Sequence, residues 1–296
     1  MLVYEDAPVV EPGPGEVLVE VHAAAITFAE LGWEETWKSA DGRDRTPIIP
    51  SHEVSGVVSE LGADVTEFRV GDEVYGRIGF DLNGAAADYA TVPVGDLALR
   101  PTSVGHVESA SVPLAALTAW QALVDHAEVQ SGEHVIVLGA SGGVGAFGVQ
   151  IARHCRARVS ATARGADLDF VKGLGAEVVL DYRAMSGNEG LETADVVLHT
   201  VDGPVTASEL DLVRPGGRLV TLSQPISPEL LEGRNVRAIF FIVEANRAEL
   251  ETIARLVDSG AVKPTVAQVF TLADGRRAFE EGPRLHKPGK TVLQVR

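Results

Sequence analysis

Residues Val135 to Gly145 read VIVLGASGGVG, an apolar run that breaks into glycines, and AFGVQIARH follows with helical spacing. A buried strand, a glycine turn and a helix N-terminus, in that order, build a cradle for phosphate. Small residues let the backbone approach closely, and the unpaired N–H groups at the positive end of the helix dipole hold the charge. Ala140, Gly142 and Gly145 fall on the three slots of the G-x-G-x-x-G dinucleotide spacing, with alanine in the first. Ser141, Gly142, Gly143, Val144 and Gly145 are therefore candidate cofactor contacts. Val135 to Ala152 carries no charge over eighteen residues, but its five glycines and its strand-turn-helix grammar argue against a membrane span.

A second strand, Ala157 to Ala163, follows where a cofactor ribose is read. Folds that bind NAD usually place an Asp or Glu there, which accepts from the ribose hydroxyls and repels a 2′-phosphate. From His134 to Ala166 the chain has no acidic residue, although it has 42 in all. Arg164, nineteen residues past Gly145, ends the strand instead. An arginine there can fork onto a phosphate; otherwise it is a solvated side chain at a strand end. The pattern points to NADP(H).

A chain of 296 residues suits one large domain or two ordinary ones. The net charge of −17, with 25 basic residues scattered, argues against a nucleic-acid partner. The single cysteine, Cys155, excludes an internal disulfide and any multi-cysteine zinc site, and reads as a small buried side chain. No basic-then-apolar leader opens the chain, so a cytoplasmic enzyme without a membrane partner is expected.

The first hundred residues read as strands and turns. Val17, Val19 and Val21 alternate with polar neighbours, and Val54 to Glu60, Asp72 to Arg77 and Ala85 to Val92 are further strands. Trp33 to Arg45 is a charged surface excursion, irregular or partly helical. From about Val107 the grammar changes: Ala110 to Val124 is helical, and strands then alternate with helices. The strands expected are Val135 to Leu138, Ala157 to Ala163, Glu177 to Leu180, Val196 to Thr200, Arg218 to Leu222 and Val236 to Val243. Such alternation predicts a doubly wound parallel sheet. Asn246 with Glu249 opens a last helix that Gly260 closes, and Pro264 to Leu272 and Thr291 to Val295 return to strand.

Segments along the chain now carry a resemblance. PGPGEVLVEVHAAAIT, IPSHEVSGVV, VGDEVYG, GAAADYATVP, PLAALTAWQAL, the glycine loop, LGAEVVLDY, RPGGRLVTL and GKTVLQV together resemble the medium-chain dehydrogenase/reductase superfamily, in its zinc-free quinone oxidoreductase branch similar to zeta-crystallin. The resemblance implies an α/β protein. A Rossmann-type doubly wound domain, 106–261, is expected to be inserted in a GroES-like β-rich catalytic domain, 1–105 with 262–296. It also implies a homodimer joined through the strand Val236 to Val243.

Catalytic zinc needs three protein ligands and an open position, usually with thiolate among them. His52-Glu53 looks like the Gly-His-Glu of zinc alcohol dehydrogenases, in which the histidine is a metal ligand, but the segment where their first cysteine lies reads Ala25-Ile26-Thr27-Phe28-Ala29-Glu30. Only seven residues, Arg77 to Asn83, lie where a structural-zinc lobe would need four cysteines. No metal is expected; His52, Glu53 and Glu30 are the one conceivable donor set, and His52 reads otherwise as a pocket or packing histidine. Three departures limit the carry-over. Thr27 stands where quinone oxidoreductases carry asparagine, and no tyrosine lies near Gly32. His199-Thr200-Val201-Asp202 replaces Asp-Thr-Val-Gly. Relatives also carry about a dozen residues ahead of this chain's start, forming a strand whose absence would expose a sheet edge.

By resemblance, Thr118 lies beside the nicotinamide, unless it only bonds back to its own helical turn. Tyr182 packs near the 2′-phosphate with Lys172 and Arg183 flanking, and Phe241 to Val243 line the nicotinamide amide. Lys290 is a candidate cofactor or cleft contact. Trp33, Trp37 and Phe80 border the substrate, and Thr27 is the candidate hydrogen-bond donor to its oxygen. The expected activity is NADPH-dependent reduction of quinones or α,β-unsaturated carbonyls, small molecules whose chemistry the cofactor carries. An alcohol dehydrogenase-type carbonyl reductase and a non-catalytic NADPH-binding protein are the alternatives.

Overall fold

The structure, a computed structural model, describes residues 2–39 and 41–296. Among these residues the strands run in chain order as β1 (Glu16–Ile26), β2 (Glu53–Leu61), β3 (Glu73–Arg77), β4 (Tyr89–Pro93), β5 (Leu97–Leu99), β6 (His134–Leu138) and β7 (Arg158–Ala163). They continue as β8 (Val178–Asp181), β9 (Ala194–His199), β10 (Val213–Thr221), β11 (Val236–Phe240), β12 (Val266–Thr271) and β13 (Lys290–Gln294). The chain divides into two compact units, Met1–Leu117 with Ala245–Arg296, and Thr118–Glu244.

The first unit is built on a seven-stranded sheet, ordered β12-β13-β1-β2-β3-β5 with β4 also on β1. β12 and β13 pair in parallel and the other pairs are antiparallel. The alternation expected in β1 is present: Val17, Val19 and Val21 enter a core with Val54, Val58, Val74 and Val92. β1 is the register master. Its end places Ala25 opposite Glu53 on one side and Ile26 opposite Thr291 on the other. The Trp33–Arg45 excursion holds one short helix, Glu34–Trp37, and a bridge between Lys38 and Asp44, and a helical turn, Phe28–Gly32, leads into it; Ala40 within it lies outside the described residues. The expected strand Ala85 to Val92 forms only from Tyr89, because Ala85 and Ala86 turn back to bond Ser51 and Pro50.

The second unit is a six-stranded parallel sheet ordered β11-β10-β9-β6-β7-β8. From β6 the chain winds outward through β7 and β8, then returns to β9 and winds the other way. The direction reverses between β6 and β9, and ligands of such sheets bind at that switch point, beyond the carboxyl ends of the strands. β11 stops at Phe240, three residues short of expectation.

The boundaries expected at 105/106 and 261/262 both fall inside the first unit. Hydrogen bonds explain the shift. His106 Nδ1 lies 2.8 Å from Ser55 Oγ, and Glu53 accepts from the Leu114 N–H at 3.0 Å. The helix Arg247–Asp258 belongs to the first unit as well: the buried Tyr75 hydroxyl donates to Leu250 O at 2.6 Å, and Asp258 accepts from the Ser103 N–H at 2.8 Å. Asn246 caps that helix, accepting from the Glu249 N–H as its sequence predicted.

Candidate active site

The glycine loop leaves β6 at Leu138 and enters the helix Gly143–His154. The turn is made one residue earlier than the fingerprint suggests: Gly139 has φ +83°, a backbone conformation that costs an L side chain energy, so Ala140 is tolerated in the first slot. A Cβ on Gly145 would lie 2.3 Å from Gly139 O, so only glycine allows the loop to fold onto the helix. Gly142 is the N-cap, and the first-turn N–H groups behind it have no carbonyl within the helix to bond. Those N–H groups at the switch point, with no side chain in the way, fit a dinucleotide pyrophosphate. Thr200, next to β9, donates to Leu138 O at 2.7 Å and locks the two strand ends together. Its neighbour His199 is buried, with Nε2 3.4 Å from Glu209 Oε1. Burial alone would raise the Glu209 carboxyl, but bonds from His199 and from the Thr206 N–H and hydroxyl outweigh it and hold it down at about 2.

At the ribose end Arg164 is not solvated and free. Asp167 accepts from its Nε at 3.0 Å and from its Nη2 at 2.8 Å. The expectation of an end without carboxylate is therefore corrected. Asp167 begins one residue past the acid-free window and folds back on the arginine, and Asp181 arrives from β8, its register partner being Ala163. Asp181 Oδ2 would be only 2.6 Å from a Cβ on Gly165. Tyr182, 50% exposed, has the Arg183 guanidinium 5.7 Å from its ring centroid. Lys172 lies apart on the exposed face of Leu168–Leu174.

Phe241 and Val243 follow β11 outside regular secondary structure, with the Phe241 ring tilted against His126 and the two centroids 4.4 Å apart. Gln121, which the sequence did not single out, pins this segment: its amide donates to Glu244 O at 2.9 Å and accepts from the Glu244 N–H at 3.0 Å. Thr118 is buried in the helix Pro113–Trp120.

The first unit carries a second polar constellation. Lys290 Nζ donates to Thr27 Oγ1 at 2.9 Å and lies 2.5 Å from Glu53 Oε2, an ion pair that falls outside hydrogen-bond angles. Glu53 is 1% exposed and Lys290 8%. Glu30 is wholly buried, accepting from the Ser51 N–H at 3.1 Å through Oε1, while Oε2 has no hydrogen-bond partner. Burial pushes its carboxyl up to about 8, against the pull of Lys290 and the Ser51 N–H. His52 is neutral at ordinary pH: burial, then the Arg77 guanidinium, lowers it to about 4. Its ring meets Phe80 edge-on at 5.4 Å, Trp33 meets Phe80 at 4.8 Å, and the Arg77 guanidinium stacks 3.9 Å above that ring. Of the three aromatics expected at the substrate, Trp33 and Phe80 come together. Trp37 instead donates to Leu31 O and lines a cavity of about 270 Å³ with Lys38, Gly42, Asp44 and Thr46.

Comparison with known proteins gives two family matches: an alcohol dehydrogenase GroES-like domain over residues 13–102 and a zinc-binding dehydrogenase domain over residues 174–293. The human mitochondrial NAD(P)H oxidoreductase RTN4IP1 is 31% identical, over 95% of this chain and 82% of that protein. The chain belongs to the medium-chain dehydrogenase/reductase superfamily. Membership makes it an oxidoreductase. Another medium-chain relative, the chloroplastic NADPH-dependent alkenal/one oxidoreductase of Arabidopsis thaliana, is 29% identical over 94% of this chain and 72% of its own length. The quinone oxidoreductase structure from Coxiella burnetii superposes with a TM-score of 0.90 at 27% identity, covering 99% of this chain and 94% of that one.

The zinc in one family description does not fit the donors of this medium-chain dehydrogenase/reductase. Glu53 is already paired with an ammonium, and the first unit contains no cysteine to supply a thiolate. Among the described residues no group of three or more His, Cys, Asp or Glu is arranged to hold a metal ion. Cys155, half-buried at the far end of the helix after the glycine loop, has its thiol raised by burial, which disfavours the thiolate.

Proposed function

We propose that this protein is a zinc-independent, NADPH-dependent reductase of quinones or α,β-unsaturated carbonyls. The observation that carries the reading is the Thr27–Lys290–Glu53 constellation, a hydroxyl backed by a paired ammonium where zinc relatives would need a thiolate. Without a strong Lewis acid, the charge that develops on an isolated ketone is poorly stabilised. A conjugated acceptor spreads that charge, and one hydroxyl donor is then a useful stabiliser.

The cofactor would be held by the N–H groups of the Gly142–Gly145 loop, with Arg164 and Tyr182 toward the ribose and the Phe241–Val243 backbone toward the nicotinamide. When bound, a reduced nicotinamide supplies hydride. The part played by the chain is to hold the acceptor against flat rings and to stabilise its oxygen. Trp33 and Phe80, clamped by Arg77, offer the rings, and Thr27 offers the proton. The preference for NADPH is supported by Arg164, whose guanidinium Asp167 holds in one orientation for a phosphate. The activities for which the Arabidopsis and Coxiella proteins are named support the acceptor class. A homodimer is proposed through β11, an edge strand whose neighbouring residue Ile242 is 61% exposed.

The test is NADPH oxidation by the purified protein across quinones, enals, enones, saturated ketones and alcohols, with and without a chelator. Conjugated acceptors should be turned over, chelated or not. Robust oxidation of simple alcohols with little activity on any conjugated acceptor would mean an alcohol dehydrogenase, and inertness toward every acceptor a binding protein.

A further inference from the structure

A threonine hydroxyl can donate or accept, and its role toward a substrate depends on what already occupies it. At Thr27 the occupant is Lys290. An ammonium has N–H groups and no lone pair, so in the 2.9 Å contact Thr27 Oγ1 must accept. The hydroxyl proton is left to point elsewhere, toward an acceptor.

The lysine is fixed on several sides. Its charge is paired with buried Glu53 at 2.5 Å, and Glu53 is itself held by the Leu114 N–H at 3.0 Å. Gly289, just before it, has φ +96°, and a Cβ there would lie 2.2 Å from Thr265 O, so the turn into β13 admits only glycine. The sheet register brings the ends of β2, β1 and β13 side by side, which is why three residues distant in sequence meet. Glu30 beside them stays neutral at pH 7, so the ammonium faces a single opposing charge.

We infer that Lys290 is the positioning residue of the reaction: it makes Thr27 an obligate hydrogen-bond donor to the acceptor oxygen and replaces the proton that Thr27 gives up. This rests on the reading above. A bound reduced nicotinamide would supply hydride to the conjugated carbon, and the π-electron pair would then move onto the acceptor oxygen. That oxygen forms a bond to the Thr27 proton, the Thr27 oxygen takes a proton from Lys290, and water returns one to the amine. The acceptor has then gained one hydride and one proton, as an enol or hydroquinone.

The experiment uses the full chain and whichever quinone or enone the wild-type protein turns over. Lys290→Met should lower kcat on the order of 30-fold while KM for the acceptor stays within about threefold. NADPH affinity, read by fluorescence titration, should be unchanged, and Lys290→Arg, which keeps the charge and the donor but does not release a proton at neutral pH, should recover only part of the turnover. Thr27→Val should lose about as much as Lys290→Met, and the double variant no more than either, because both break one unit. Additive losses, or weaker NADPH binding with kcat intact, would overturn the inference; the second result would make Lys290 a cofactor contact. If Lys290→Met fails to fold by circular dichroism, Glu53→Gln and the pair Thr27→Ser and Thr27→Val take its place. Serine should then keep activity that valine loses, and equal activities would overturn the inference. A wild-type protein inert toward every conjugated acceptor would overturn the functional reading itself, whereas an active one indifferent to Lys290→Met overturns only the role given to the lysine.

Discussion

Glu30 is a carboxyl held where a charge is costly. In the folded protein it keeps its proton to about pH 8, against an ordinary value of 4.5. Between those values the folded state holds a proton that the unfolded chain has released, so stability falls as pH rises from 4.5 to about 8 and levels off beyond. Glu30→Gln mimics the neutral acid. Its melting temperature should lie close to that of wild type near pH 5 and above it near pH 9, by thermal melts at several pH values. A difference that does not change with pH would show that Glu30 is not carrying the proton. His52 works in the other direction: its lowered value makes stability fall as pH drops from 6.5 toward about 4. Arg164 gives a second prediction at this scale. Arg164→Ala should weaken NADPH at least tenfold, about 1.4 kcal/mol, and NADH little. Asp167→Asn, which only loosens the arginine, should cost NADPH less. Equal losses for both cofactors in Arg164→Ala would mean that the guanidinium does not touch the 2′-phosphate.

Elements were legible where a period or a cap wrote them into the chain. The valine alternation of β1, the Asn246 cap and the β6-loop-helix unit all lie within short stretches of sequence. Less legible was how far a strand runs when its end is decided by a partner. β11 stops at Phe240, where pairing with β10 ends at Thr221. The helix after the loop makes a sharp prediction. Gly145→Ala would drive a Cβ against Gly139 O, so the variant should lose about 1–3 kcal/mol in urea unfolding and bind NADPH much more weakly. Wild-type affinity in that variant would mean that the loop can move away at no cost. The edge strand β11 supplies another. Light scattering should give a dimer at micromolar concentration, and Ile239→Lys, which charges the edge strand, should shift it toward monomer. A wild-type monomer would count against pairing through that strand.

For the whole chain, the expected organisation of a β-rich unit that takes back the C-terminus around a parallel-sheet unit is present, with the exchange at Leu117 and Ala245. The helix Arg247–Asp258 shows why the expected boundary was misplaced. Sequence grammar groups it with the helices before it, whereas Tyr75 and Ser103 bind it to the β-rich unit. The prediction at this scale concerns metal. Purified protein should carry no stoichiometric zinc, and extensive chelation should leave turnover of a conjugated acceptor unchanged. Zinc at one per chain, with activity that follows it, would overturn the donor-set argument.

What the sequence by itself determined is what depends on residues close together along the chain. The phosphate cradle is one such feature, since strand, turn and helix are contiguous and glycine is demanded by local backbone geometry. The absence of a cysteine donor set is another, because composition alone settles it. Only the tertiary structure decided which groups face one another across strands. Asp167 turning onto Arg164, Gln121 pinning Glu244, and Lys290 joining Thr27 to Glu53 depend on turns and sheet register. Lys290 and Thr27 are 263 positions apart, and no local preference carries information over that distance. They meet because β13 pairs with the end of β1, and that pairing is selected by the burial of the whole sheet.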